Sequence, residues 1–237
     1  TRLWTGMQRK GRRIEAIFIR QNANIAISEA VKSNYQEHYH DCPPIIYNGV
    51  APVKQQPYSQ LKAGKINILF AGRFEEQKGI DTLIEIIKSQ KNSAIYHFHV
   101  IGVGSLVSLL TAELGGFTHV SIREPLFNLA SFLASFDFLL MPSRHEGLSI
   151  LALEANFNGL PAIINACPGL HETLPNDWPL RVEHNDLNTY LHLFNDVLPV
   201  INRHEIQSIA RQFAEKHFSM RSMREGYERL YAQAFKA

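Results

Sequence analysis

The 237-residue chain is poor in features that would set it apart from an ordinary folded protein. It has two cysteines, Cys42 and Cys167, far apart and without metal-ligand spacing, which excludes a disulfide framework and a structural zinc site and fits a reducing compartment. It has no charge excess: 24 Lys and Arg stand against 22 Asp and Glu, with no basic-aromatic interleaving, so a general nucleic-acid binder is excluded. No run of about 18 apolar residues occurs, and the start lacks the charged, apolar and small-residue order of a secretory signal. These absences predict a cytoplasmic protein. Low-complexity tracts and internal repeats are also absent. The chain opens at Thr1 inside a basic segment without an initiator Met, which suggests a piece of something longer.

What is present is an alternation. From about Ile66, six short apolar runs predict strands at Ile66–Ala71, Tyr96–Ile101, His119–Ile122, Asp137–Met141, Ala162–Asn165 and Leu180–Glu183. Between them apolar residues recur at helical spacing, as in Leu83, Ile86 and Ile87 or Leu126, Leu129 and Leu133. This is the pattern of an α/β, Rossmann-like, doubly wound parallel six-stranded sheet. Beyond Asn185 three helical stretches follow, the last over Ser222–Phe235 with Met223, Tyr227, Leu230 and Tyr231 on one face. Upstream, Asn24–Ser28 and Ile45–Tyr47 read as two strands flanking a helix at Glu29–His38, a partial second α/β unit too small to close a domain. The aperiodic, proline-bearing stretch 51–64 reads as a linker. The expected division is therefore a domain remnant at 1–50, a linker at 51–64, the main domain at 65–218 and a helix at 219–237 crossing back to the remnant.

Two loops point at one place. Gly72-Arg73-Phe74-Glu75-Glu76-Gln77-Lys78-Gly79 follows the first strand and brings cations to its carboxyl end. Pro142-Ser143-Arg144-His145-Glu146-Gly147-Leu148-Ser149 follows the fourth and feeds a helix carrying Glu154. Gly147 permits close backbone approach, Ser149 is a candidate N-cap, and a helix N-terminus favours an anion. In the strand order 3-2-1-4-5-6 both loops open into one crevice where the chain reverses direction. Cations, a helix N-terminus and two carboxylates there suit a diphosphate joined to hydroxyl-rich sugars, a sugar nucleotide.

These residues resemble a known family. Gly72-Arg73, Lys78-Gly79, Pro142-Ser143, Glu146-Gly147 and Glu154-Ala155, in that order, are similar to the donor-binding domain of glycosyltransferase family 4, a retaining family of GT-B fold. Ile27-Ser28-Glu29, Tyr47-Asn48-Gly49-Val50, Gly159-Leu160-Pro161 and Pro168-Gly169-Leu170-His171-Glu172 extend the resemblance over nearly the whole chain. It implies that Arg73 and Lys78 contact the donor diphosphate, that Glu146 and the backbone near Gly147 and Leu148 hold the transferred sugar, and that Glu154 binds the ribose. Arg73, Lys78 and Glu146 are the expected catalytic residues, with Gly72, Ser143, Gly147, Leu148, Ser149 and Glu154 completing the donor site. The implied donor is a UDP-sugar and the implied acceptor a glycan or lipid-linked molecule. No metal or other cofactor is expected, and the chain lacks the Asp-x-Asp clamp of the other glycosyltransferase fold. The family's glycine-rich loop and first-domain catalytic residues have no counterpart here, so a further domain or partner chain is expected to supply them, and this chain alone is expected to be inactive. A non-catalytic nucleotide-sugar-binding subunit of a split or regulatory complex is the alternative.

Other features have two readings. Gly102-Val103-Gly104 resembles the start of a dinucleotide fingerprint, but Val107 replaces its third glycine, leaving a turn beside the nucleotide or a plain structural turn. His38, His40, Asp41 and Cys42 lack a second ligand pair for a metal, His97 and His99 read as packed histidines, and His145 and His171 lie in loops facing the site. The basic start, with Arg2, Arg9, Lys10, Arg12, Arg13 and Arg20, offers either a peripheral contact with anionic lipid or a solvated helix face.

Overall fold

The structure is a computed structural model that describes residues 24–40 and 42–234. The basic start and Asp41, and the readings attached to them, lie outside the described residues.

Six strands, β1 (Ile66–Arg73), β2 (Tyr96–Val103), β3 (Val120–Arg123), β4 (Phe138–Met141), β5 (Ala162–Asn165) and β6 (Arg181–Val182), form one sheet in the order β3-β2-β1-β4-β5-β6. Every pairing in it is parallel. Strands buried on both faces need no alternation, and β4 and β5 are buried throughout and apolar except for Asn165. Helix α2 (Ile80–Ser89) packs against both α3 (Val107–Leu114) and α5 (Leu187–His192), and α4 (Ile150–Phe157) packs with α6 (Arg203–His217) and a 3₁₀ segment at Leu129–Ser135. Two such groups on a parallel sheet make the doubly wound, Rossmann-like arrangement expected. The stripe of Leu83, Ile86 and Ile87 is fully buried.

Differences from the expected elements have local causes. β1 and β2 each run two residues further, because Gly72 pairs with Gly102 and Arg73 with Val103. A Cβ on Gly102 would stand 1.9 Å from the Gly72 carbonyl oxygen, and one on Gly104 2.4 Å from the Phe74 carbonyl oxygen, so this glycine pair lets the first two loops touch. That is a packing role for the Gly102-Val103-Gly104 run. The stretch after β3 is a 3₁₀ segment: Pro125 cannot donate, and Asn128 turns the chain at φ 55, so only Leu133 of the expected stripe is buried while Leu126 and Leu129 stay half-buried.

The two strands expected upstream reduce to a single parallel bridge, Ala26 with Ile45. Pro43 and Pro44 remove two donors where a ladder would have to grow. Between them lies α1 (Glu29–Tyr39). Residues 51–64 carry no helix or strand but are strapped to the sheet unit: Tyr58 is buried, Val53 N–H and Gln55 Nε2 both donate to Asn158 Oδ1, and Tyr58 N–H donates to Ser135 Oγ. The last helix, α7 (Met220–Ala234), runs against residues 46–50: Val50 bridges to Ser219, Gly49 N–H donates to Met223 Sδ, and Gly226 faces Ile46. Among the described residues no helix is long and apolar enough to cross a membrane.

Candidate functional site

β1 and β4 are neighbours, with the chain leaving the sheet toward β2 from one and toward β5 from the other, so a crevice opens at their carboxyl ends. The loops closing it are held by a glycine. Gly79 ends the 3₁₀ turn Glu76–Lys78 at φ 67, and a Cβ there would lie 2.0 Å from the Pro142 carbonyl oxygen. Left-handed backbone and lack of room coincide, so Gly79→Ala is expected to cost roughly 2–3 kcal/mol of stability, read by urea unfolding. Wild-type stability in that variant would show that the two loops do not touch there.

The contact brings Lys78 to Glu146 across 68 residues of sequence. Lys78 Nζ donates to Glu146 Oε1 at 2.6 Å, and the two side chains are 17% and 9% exposed. The stem of Lys78 passes over Gly72, whose missing Cβ would meet Lys78 Cε at 3.8 Å and Cδ at 3.9 Å. Arg73 is exposed and not in this pair; its Nη2 donates to Gln77 Oε1 at 3.3 Å, and Gln77 Nε2 donates to the His145 carbonyl at 2.9 Å. Gln77 thus ties one loop to the other, a role that no motif announced.

The second loop is pinned from below. Glu146 N–H donates to the Pro168 carbonyl and Ser149 N–H to that of Gly169, a residue at φ 76 where a Cβ would fall 2.2 Å from the Glu146 carbonyl oxygen. Ser149 caps α4, its Oγ accepting from Ala152 N–H at 3.3 Å. Leu148 turns its side chain into a small core with Val50, Leu153, Phe157 and Phe218, which leaves only its backbone for a ligand. Ser143 is buried, with its carbonyl taken by Asn165 Nδ2. Among the described residues, the N–H groups of Gly147, Leu148, Ile150 and Leu151 have no hydrogen-bond acceptor. Such a row of free amides at a helix start attracts negative charge.

Glu154 stands one turn along α4 on its uncovered side, above Ile150. Its carboxylate has no partner among the described residues, and burial raises its pKa from the ordinary value. Of the residues expected at the site, Lys78 and Glu146 are in contact, Gly72 and Gly147 give access, and Arg73 and Glu154 flank them. His171 is engaged elsewhere, its Nδ1 on the Cys167 carbonyl. Among the described residues no three His, Cys, Asp or Glu side chains gather as a metal set.

Known proteins are similar to this chain. A glycosyltransferase of Methanocaldococcus jannaschii is 29% identical over 219 residues, covering 88% of this chain and 59% of that protein. The chain spans only a little over half the length of such relatives. Among solved structures, a glycosyltransferase from Rickettsia africae superposes with a TM-score of 0.81 at 18% identity over 98% of this chain and 69% of the other. A TarM variant of S. aureus, in complex with fondaparinux, α-GlcNAc-glycerol and UDP, gives 0.76 at 20% identity over 98% and 48%. These share the fold, one half of the GT-B type. The family profile for glycosyl transferases group 1 matches residues 65–193, more than half of the chain and all of the sheet that carries this crevice, and the chain belongs to that family.

Proposed function

We propose that the crevice between β1 and β4 binds a nucleotide-sugar and that the protein transfers the sugar, with retention of anomeric configuration, to a glycan or lipid-linked acceptor. The observation that carries this reading is the Lys78–Glu146 pair beside the free amides of Gly147 and Leu148. A cation and a row of donors suit a diphosphate. Two carboxylates, Glu146 and Glu154, suit the hydroxyls on either side of it. As the glycosidic bond breaks, the nucleoside diphosphate leaves with the bonding pair and gains charge, while the acceptor's hydroxyl oxygen bonds the anomeric carbon on the face just vacated and its proton passes to the leaving phosphate oxygen. Fixed donors at the leaving oxygens act more strongly on that state than on the bound donor. In this reading Lys78 and Arg73 meet the diphosphate, Glu146 and the Gly147–Leu148 backbone the sugar, and Glu154 the ribose. Because the protein supplies the charge, no metal is needed. The resemblance of this chain to a structure holding UDP makes UDP the first nucleotide to try.

The test is a thermal-shift series with UDP, GDP, ADP and their sugars, with and without EDTA. A ligand at a hundred times its Kd stabilises the fold by about 2.7 kcal/mol, which for a chain of this length raises Tm by roughly 5–10 °C. The shift should shrink with added salt and survive EDTA. No shift with any nucleotide at millimolar concentration would remove the donor site from this crevice, and a strict need for a divalent ion would remove the metal-free reading.

A further inference from the structure

The geometry of the donor loop is not held by the sheet unit alone. Its outer side rests on α1, which belongs to the upstream segment. The first amides of a helix have no partner within it. In α1 the N–H groups of Glu29 and Ala30 both turn to the carboxylate of Glu172, at 2.8 Å to Oε2 and 3.2 Å to Oε1. Tyr47, from the same upstream segment, donates its hydroxyl to Oε2 at 3.1 Å. Burial, then the charge of Glu172, raises the pKa of Tyr47, so it stays a donor. The next amide of α1, that of Val31, goes to Ser28 Oγ at 3.0 Å. With a lone pair used in this way, the Ser28 hydroxyl hydrogen is aimed outward, and it donates to the Gly147 carbonyl at 2.5 Å. Val31 then lies 3.8 Å from where a Cβ of Gly147 would be.

One carboxylate therefore takes three donors from residues 29–47, and the helix start it fixes presses a hydroxyl onto the loop that carries Glu146. The anion also sits where the helix dipole favours it. Glu172 follows the Pro168-Gly169 step that pins the same loop from below, so the loop is gripped from both sides by one short stretch: directly through the Pro168 and Gly169 carbonyls, and indirectly through Glu172, α1 and Ser28. We propose that Glu172 is a positioning residue of the donor site, which by clamping the start of α1 holds the Ser28 hydroxyl on Gly147 and fixes the loop Glu146–Ser149. The inference deepens the donor-site reading and rests on it only where ligands are concerned. Its consequence is a coupling: the loop assigned to the sugar is ordered only while the upstream segment is docked.

The experiment uses the full chain with Glu172→Ala, Glu172→Gln, Glu172→Asp and Ser28→Ala. Hydrogen exchange, which needs no ligand, should rise at least tenfold at the bonded amides of the loop, those of Glu146, Ser149 and Ala152, as well as at 29–31 in Glu172→Ala, with β1 and β2 as in the wild type. Ser28→Ala should free Glu146, Ser149 and Ala152 to the same degree, and the double variant should free them no further, because both act through one contact. Glu172→Asp should restore part of the protection; Glu172→Gln keeps one acceptor and serves if the alanine variant fails to fold. In binding measurements, Glu172→Ala should weaken UDP-GlcNAc or UDP-glucose about tenfold and UDP less than twofold, since UDP lacks the sugar that the loop would hold. Faster exchange confined to 29–31, with Glu146, Ser149 and Ala152 unchanged, would overturn the proposal and leave Glu172 a helix cap. Equal weakening of UDP and its sugars would overturn it too. Should the wild type bind no nucleotide, the donor reading falls, and the exchange pattern still decides the clamp.

Discussion

Lys78→Met is expected, on the donor-site reading and with the expected further domain supplied, to lower the rate of sugar transfer by roughly 10²-fold or more and at the same time to destabilise the fold, whereas Lys78→Met with Glu146→Gln should recover the stability and none of the rate. The two effects have different origins. For the rate, Lys78 is the cation fixed in the crevice, and removing one preorganised donor to a developing charge costs about 10²–10³ in kcat. For the stability, the Glu146 carboxylate is 9% exposed and has Lys78 Nζ as its hydrogen-bond partner. Breaking a buried pair by removing one member costs about 3–5 kcal/mol because the other charge is left unpaired. Here the lysine end still sees water, so about 2–3 kcal/mol is the expected loss. Replacing both members by neutral groups of similar shape removes that penalty. A three-donor ammonium can hold Glu146 and a diphosphate oxygen together, so donor binding need not break the pair. Urea unfolding and initial rates on the donor found by the nucleotide series check both halves. If the double variant turned over at the wild-type rate, Lys78 would be structural only.

Arg73 should behave differently. Its guanidinium is exposed and donates to Gln77, so its removal leaves no buried charge behind and should spare stability. Any loss of rate in Arg73→Ala then reports ligand contact alone.

The six strands and their order could be read from the sequence because each is a run of apolar, β-branched residues between turn residues, and the parallel crossover rule does the rest. The loops could be placed for the same reason, since they must follow β1 and β4. What could not be read is which side chains meet across them. The Lys78–Glu146 contact depends on Gly79 lying against Pro142, a tertiary fit that leaves no period. Glu172 belonged to a loop whose Pro-Gly step was noticeable, yet its partners lie more than 120 residues away on α1 and on Tyr47. The strands expected at Asn24–Ser28 and Ile45–Tyr47 failed for the opposite reason: their composition favours strands, but a single bridge beside Pro43-Pro44 has no ladder to join. Residues 51–64, aperiodic and rich in polar side chains, gave no sign that Tyr58 is buried or that Asn158 holds the strap in place.

The second large effect is acid lability, set by two histidines with no part in the site. His97 and His99 share one face of β2 with ring centroids 4.8 Å apart, and both are buried, at 3% and 0% exposure. Asn67 fixes the state of His99. Both donors of its side-chain amide are taken by the Lys62 and Lys65 carbonyls, so Oδ1 is the atom facing His99 Nε2 at 2.9 Å, and Nε2 must carry the hydrogen. Nδ1 then keeps a bare lone pair, with the Tyr58 and Phe136 rings close by and no acceptor for a proton. Burial foremost, then the charges of His97, Arg123 and Lys62, pushes His99 down to about 3. Burial, then Lys62, His119, Lys65 and Arg123, pushes His97 down to about 4. In the unfolded chain both titrate near 6.5, so below that pH the unfolded state takes up protons that the fold refuses, and stability falls. The stabilisation is complete above about pH 6.5, declines as the pH drops, and levels off near 4 for His97 and 3 for His99. At about 1.4 kcal/mol per ring for each pH unit, the pair costs on the order of 4 kcal/mol by pH 5. Urea unfolding from pH 7.5 to 4.5 should show that slope, and His99→Leu should remove about half of it, since Asn67 Oδ1 keeps the Lys62 N–H as a donor. An unchanged slope in His99→Leu would mean that a proton finds a partner in this pocket and that the ring is not held neutral.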